Sequence, residues 1–252
     1  MDNLPTTALV TGGAGTLGQE IARNLLSRGA KVIIADLDRE RLRATQERLG
    51  NPEGLSALTL DVASEESWNE ALEEAESRLG PIALLCNNAA VASDRQSVTA
   101  MSVDAWLRAL AVNLTGVFLG ARTFLPGMIA RDGGYLLNVA SIGGMLSQPG
   151  RGEYCAAKAG VISLSETLAA ELDGTGVRVS VLCPGAIGHP VGHVFRQGQA
   201  SAAPGRLDPA IAVQRAIDAM LAGHFYLFTE ADRRDLVAER HGRILAGFER
   251  LD

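Results

Sequence analysis

Tyr154 and Lys158 stand four residues apart, and Ser141 lies thirteen residues before the tyrosine. Side chains four apart on a helix share one face, so this pair sets an ammonium beside a phenol. A phenol normally releases its proton near pH ~10, and an adjacent positive charge stabilises the phenolate and lowers that value. A tyrosine tuned in this way is an acid or base usable near neutrality, as proton-transfer catalysis requires.

A second stretch with chemical meaning is Thr11-Gly12-Gly13-Ala14-Gly15-Thr16-Leu17-Gly18, which follows an apolar run and leads directly into Gln19-Glu20-Ile21-Ala22. Glycines let a backbone turn tightly, approach a pyrophosphate and seat a helix on a sheet. The helix N-terminus adds amide donors and a positive dipole end. Eighteen residues past Gly18, Asp36 ends the second apolar run, just before Leu37. A carboxylate there accepts hydrogen bonds from both ribose hydroxyls of an adenosine and repels a 2′-phosphate. Capping of the next helix is the plainer role for Asp36, one that Asp38 can also fill. Because Gly13 brings no positive charge to the turn, NAD(H) is favoured over NADP(H), with Arg39 nearby as the opposing feature.

These residues need a scaffold, and the chain supplies one. Short β-rich runs at Ala8–Thr11, Val32–Ala35, Ala57–Leu60, Ile82–Cys86, Tyr135–Val139, Val177–Leu182 and Phe225–Phe228 alternate with longer segments of helical period. Helices long enough to cross from one parallel strand to the next predict an α/β, doubly wound, seven-stranded parallel sheet with helices on both faces. No linker or repeat divides residues 1–252, so a single domain is expected. Two connections are long: Ala89–Ser102 after the fourth strand and Pro184–Arg206 after the sixth. Ligands bind outside the carboxyl ends of such strands, and the glycine- and proline-rich loop 184–206 suits a lid over a substrate.

Composition narrows the function classes. Hydrophobic residues make up 47% of the 252 residues, aromatics only 4%, and the net charge is -6, which disfavours nucleic acid. Arg39, Arg41, Arg43 and Arg48 alternate with Glu40 and Glu47, as on a solvated helix face. Met1–Thr7 has no targeting pattern and no apolar stretch reads as uninterrupted membrane-spanning length, so a cytoplasmic protein is expected. Cys86, Cys155 and Cys183 are widely spaced in apolar settings and read as reduced core thiols. The histidines His189, His193, His224 and His241 lack partners at ligand spacing, so no metal site is expected.

In order along the chain, Gly12 to Gly18, Asp36, Asp61-Val62, Asn87-Asn88-Ala89-Ala90, Asn113, Ser141, Tyr154 with Lys158, and Pro184-Gly185 resemble the short-chain dehydrogenases/reductases in their shorter single-domain branch. The resemblance implies a Rossmann-type fold that binds NAD through Gly12, Gly15, Thr16, Leu17, Gly18, Asp36, Leu37, Asp61, Val62, Asn88, Ala89, Ala90, Tyr154, Lys158, Pro184, Gly185 and Ile187. It implies that Tyr154 exchanges a proton with the carbonyl or alcohol oxygen. Lys158 would bind the nicotinamide ribose, Ser141 would orient the substrate oxygen, and Asn113 would hold a water in a proton relay. Each residue also has an ordinary reading: Ser141 as a turn cap, Asn113 as a buried structural amide, Lys158 as a snorkelling surface residue, and Tyr154 as half-buried core.

The chain departs from the family pattern in three places. The middle glycine falls at Gly15 instead of at Thr16, a spacing closer to the extended branch. His189 occupies the position of a usual hydroxyl contact to the carboxamide, and the chain closes on Phe225-Tyr226-Leu227-Phe228 with a charged helix over Ala231–Arg250.

The surrounding residues Ala92, Ile142, Gly143, Met145, Gln148, Arg151, His189, His193, Val194 and Phe195 are mostly apolar. They favour a secondary alcohol or ketone of moderate size and low charge, with Arg151 as the one group suited to a carboxylate. The segments Trp106–Pro126 and Tyr154–Leu172 are apolar on several faces, and the resemblance implies that they pair across a twofold axis in a homodimer or homotetramer. Two rival functions stay open: an epimerase or dehydratase that retains its NAD, and a non-catalytic dinucleotide sensor or scaffold.

Overall fold

The computed structural model describes residues 4–188 and 207–249. Seven strands, β1 (Thr7–Thr11), β2 (Lys31–Asp36), β3 (Leu55–Thr59), β4 (Leu84–Asn87), β5 (Gly134–Val139), β6 (Val177–Cys183) and β7 (Tyr226–Phe228), form one sheet in the order β3-β2-β1-β4-β5-β6-β7. Every neighbouring pair is parallel. Strands of a parallel sheet are covered on both faces and so read as continuous apolar runs; β1 and β4 are buried at every residue. All seven expected strands are present, with ends displaced by one or two residues. Leu60, expected inside β3, lies just past it and still donates its N–H to Asp36 O at 3.0 Å.

The covering helices are α1 (Thr16–Ser27), α2 (Arg39–Arg48), α3 (Glu65–Leu79), α4 (Val103–Leu110), α5 (Gly116–Ala130), α6 (Gly152–Glu171), α7 (Pro209–Leu221) and α8 (Arg234–Phe248). One core joins Ile21 and Leu25 of α1 and Val213 and Ile217 of α7 to β1, β2 and β4. On the other face Trp68 of α3 packs edge-on against Phe124 of α5, with ring centroids 6.1 Å apart, and donates its indole N–H to Val62 O. Helix α8 buries none of its residues.

One expectation needs correction. Val103–Ala130 is a run of 28 residues whose most apolar part has mean hydropathy 1.3, long and apolar enough by length and composition to cross a membrane, against the expectation of no such stretch. Packing supplies the physical reason, because half of its most apolar window is buried within this fold and Leu119, Phe124, Leu125 and Met128 of α5 belong to the core under β4 and β5. Nor is this run one regular helix: a π-helical turn, Ala111–Thr115, separates α4 from α5.

The strand order runs outward in opposite directions from β1 and β4. That switch point, at the carboxyl ends of the strands, is where a parallel sheet of this kind opens a crevice. The glycine turn after β1, the loop after β4 and the turns after β5 and β6 all meet there.

Candidate active site

Gly12 to Gly18 form the turn between β1 and α1. Gly12 has φ +62°, and a Cβ there would lie 2.7 Å from Ala89 Cα; at Gly18 a Cβ would lie 2.3 Å from Gly12 O. Side chains at these positions would fill the turn. Gly15 adopts φ −84° and stands as the N-cap of α1, with Thr16 as the first helical residue. This conformation is open to any residue, so the shifted glycine leaves the turn's shape intact. Helices α2, α3, α4 and α7 are capped by Asp38, Ser64, Ser102 and Asp208, whereas α1 has neither a side-chain cap nor an acidic residue in its first turn. Its leading amides are therefore available to an anion. Cradle and uncapped helix end together fit a dinucleotide pyrophosphate.

The loop after β4 is locked to this turn. Thr11 Oγ1 accepts from Asn88 N at 2.9 Å and Ala89 N at 3.0 Å. In return, Asn88 Nδ2 donates to Thr11 O at 2.8 Å and Gly12 O at 3.2 Å. Asp36 at the end of β2 accepts from Ala14 N at 3.2 Å, and the capping of α2 falls to Asp38. Arg41 of α2 donates to Ala14 O at 3.1 Å, while Arg39 is engaged with Thr59 Oγ1. Asp61 holds the Ala63 amide in the turn after β3, next to buried Val62.

Ser141 follows β5, 8% exposed, and its Oγ accepts from Gly143 N at 3.0 Å. This cap starts a short 3₁₀ turn over Ile142–Gly144. A point one Cβ bond from Gly143 lies 3.4 Å from Ser141 Oγ and 3.5 Å from Tyr154 Cε1, so hydroxyl and phenol ring face the same small space. Tyr154 sits in the first turns of α6 and is half-buried.

Lys158, one helical turn on, is 2% exposed and not a surface snorkel; its ammonium donates to Val139 O at 2.7 Å. Burial pulls its pKa down to about 8. The Cys183 thiol is itself pushed up to about 12, chiefly by burial, and holds its proton. Lys158 Nζ lies 6.0 Å from the centre of the Tyr154 ring.

Asn113 is fully buried in the π-helical turn, and both halves of its amide bind the backbone of Val91 in the loop after β4. Pro184, Gly185 and Ile187 follow β6. Gly185 N donates to Thr229 Oγ1 at 3.3 Å, and Ile187 bridges to Leu207. Leu37 is exposed beside Asp36, and Ala90 follows the Asn88-Ala89 clamp. His189, His193, Val194, Phe195 and most of the loop 184–206 lie outside the described residues.

A buried polar chain had no place in the sequence reading. Asn87 Nδ2 donates to Asn138 Oδ1 at 2.9 Å, Asn138 Nδ2 to Ser165 Oγ at 3.0 Å, and Ser165 Oγ to Val161 O at 2.7 Å. It ties β4 and β5 to α6 and so helps fix the height of Tyr154 against Ser141. The available signal was Asn138 itself, a polar residue inside an apolar strand. Thr11, the clamp on the β4 loop, was likewise read only as part of the glycine turn.

Comparison with known proteins accords with this geometry. A family model described as short chain dehydrogenase matches residues 6–200. The inactive 2-(S)-hydroxypropyl-CoM dehydrogenase 2 of Xanthobacter autotrophicus is 39% identical over 169 residues, covering 66% of this chain and 71% of the relative. The trans-4-hydroxycyclohexanecarboxylate dehydrogenase of Sinomonas cyclohexanicum is 36% identical over 199 residues, 76% of each chain. Among solved structures, a short chain dehydrogenase/reductase from Burkholderia phymatum in complex with NAD superposes with a TM-score of 0.89 at 27% identity, covering 98% of this chain and 97% of the other.

Proposed function

The chain belongs to the short-chain dehydrogenase/reductase family, and on that premise we propose that it is an NAD(H)-dependent oxidoreductase that interconverts a secondary alcohol and a ketone. The observation that carries this reading is the convergence of the Ser141 hydroxyl and the Tyr154 ring on the space beside Gly143, with the Lys158 ammonium buried one turn behind. When bound, the nicotinamide ring supplies or accepts the hydride. Gly12, Gly15, Thr16, Leu17 and Gly18 would hold the pyrophosphate, Asp36 and Leu37 the adenosine ribose, and Asp61 and Val62 the adenine. Asn88, Ala89, Ala90, Pro184, Gly185 and Ile187 would flank the nicotinamide half.

Tyr154 gives its proton to the ketone oxygen during reduction, or takes one from the alcohol during oxidation. Ser141 donates to the same oxygen and steadies the charge that grows on it. Lys158 would bind the nicotinamide ribose and favour the phenolate. Asn113, whose amide fastens Val91, would hold the water that links Lys158 to solvent as a proton relay. NAD(H) is favoured over NADP(H) because Asp36 would face a 2′-phosphate and both nearby arginines, Arg39 and Arg41, already have partners.

The substrate is a mostly apolar small molecule. The relative named for trans-4-hydroxycyclohexanecarboxylate makes alicyclic secondary alcohols the first class to test. Exposed Val103, Leu107, Phe118 and Ile129 on α4 and α5 support a homodimer or homotetramer built on these helices. Three buried free thiols suit a reducing cytoplasm.

The test is a panel of secondary alcohols and ketones followed by NADH absorbance, with NADPH in parallel, for the wild type and Tyr154→Phe. Turnover with NADH that disappears in Tyr154→Phe while NADH binding persists is the expected result. Binding without turnover of any member would favour a non-catalytic sensor, and retained nucleotide with no net NADH change during product formation would favour an epimerase or dehydratase.

A further inference from the structure

Tyr154 has a second cation, closer to its ring than Lys158. The guanidinium carbon of Arg151 lies over the phenol at 4.2 Å from the ring centre, against 6.0 Å for Lys158 Nζ. Arg151 is held in place: Nη1 donates to Gln148 Oε1 at 2.9 Å, its own N–H to Gln148 O at 3.2 Å, and its carbonyl accepts the Cys155 amide at 2.9 Å as the N-cap of α6. Arg151 is half-buried.

A guanidinium over an aromatic face is attracted by the ring quadrupole, more strongly where water is partly excluded. When the phenol loses its proton, the ring and its oxygen carry a full negative charge, and attraction to the cation grows. The contact therefore favours the base form of Tyr154 over the acid form. Lys158 is less suited to this purpose, since it lies farther from the ring, burial disfavours its charged form and its ammonium is engaged with Val139 O. A guanidinium keeps its charge throughout the working range.

We propose that Arg151 is a positioning residue that fixes the Tyr154 ring and stabilises its phenolate, so that this chain activates its tyrosine from two sides. The proposal rests on the reading of Tyr154 as the acid/base. Other charged or titratable groups around it are Glu153 and Lys158 on α6, Cys183 on β6, Arg95 where the β4–α4 loop meets Gly150, and Asp94 and Arg108, which with Glu153 line a small cavity between that loop, α4 and α6. Cys155 Sγ borders the same space beside Gly143, and among the described residues Arg151 and Lys158 are the cations over the phenol, with Arg151 the nearer.

The experiment is an ultraviolet difference titration of tyrosinate in the whole protein, with Tyr154→Phe subtracted to remove Tyr135 and Tyr226. It is run on the wild type, on Arg151→Met, which keeps apolar cover without charge, and on Arg151→Lys, which keeps charge without the planar stack. The Met variant is expected to form tyrosinate about one pH unit later than the wild type, with the Lys variant between them and the thermal midpoint unchanged. A Met variant that titrates with the wild type overturns the proposal. So do Met and Lys variants displaced equally, or a wild type whose difference from Tyr154→Phe shows no titration. No substrate or dinucleotide is present, so this outcome is independent of the turnover test.

Discussion

Asn113 closes both ends of its amide on a single residue, Val91: Oδ1 accepts the Val91 N–H at 2.8 Å, and Nδ2 donates to the Val91 carbonyl at 3.0 Å. The π-helical turn at Ala111–Thr115 carries the amide to that height, and π-turns inside α-helices often mark functional positions. The loop that leaves the cofactor cleft is thereby fastened to the central helix.

Asn113→Leu strands the Val91 N–H and C=O together. Each unsatisfied buried group costs about 1–3 kcal/mol, so a loss of about 2–6 kcal/mol is expected. Asn113→Asp should lose at least as much, because an ionised carboxylate there would be buried without a partner and would face the Val91 carbonyl. Urea unfolding checks this, the midpoint falling at unchanged slope.

Gly18→Ala sets a Cβ 2.3 Å from the Gly12 carbonyl, backbone against backbone, with no flexible atom to give way. The glycine turn must open, and NADH affinity in a fluorescence titration should fall by roughly tenfold or more, about 1.4 kcal/mol at the least. Gly247→Ala in α8 is the control: nothing lies within 4 Å, and a helical alanine is expected to be neutral or stabilising by up to about 1 kcal/mol.

Lys158 makes stability depend on pH with a definite sign. Burial lowers its pKa to about 8 from an ordinary 10.5, so between these values the unfolded chain holds more protons than the folded one. Stability from this group therefore rises with pH through that window and is least below about pH 8. Lys158→Met removes the dependence. The difference in unfolding free energy between wild type and variant should shift in the wild type's favour from pH 8 to 10.5, while a flat difference would contradict burial of the ammonium.

Asp36→Ser removes the carboxylate expected to repel a 2′-phosphate. The ratio of kcat/KM with NADPH to that with NADH should rise by roughly tenfold or more. NADH affinity should fall in the same variant, because Asp36 also anchors the Ala14 amide of the phosphate turn. An unchanged ratio would point to Arg41, beside that turn, as the controlling group.

Much of this was legible in the chain because it is local. Strand runs such as Val177–Leu182 and the glycine spacing from Gly12 to Gly18 are set by neighbours in sequence, and the fold follows from them. The capping of α2 was less legible, since Asp36 and Asp38 carry the same chemistry and only backbone direction assigns the cap to Asp38. The all-round apolar character of Val103–Ala130 is less legible for a similar reason, because each face of a core helix answers to a different neighbour.

By itself the sequence determined the parallel doubly wound sheet, the glycine turn after its first strand and the placing of Tyr154 and Lys158 one helical turn apart, since backbone periodicity, missing side chains and a four-residue helical spacing all act over short range. Only the tertiary structure decided that Lys158 is buried on Val139, that Asn113 serves Val91, that Asn87, Asn138 and Ser165 form one chain, and that Arg151 covers Tyr154. Desolvation and hydrogen bonding between residues of different elements depend on how side chains pack once the sheet is formed, and the order of residues along the chain does not encode those distances directly.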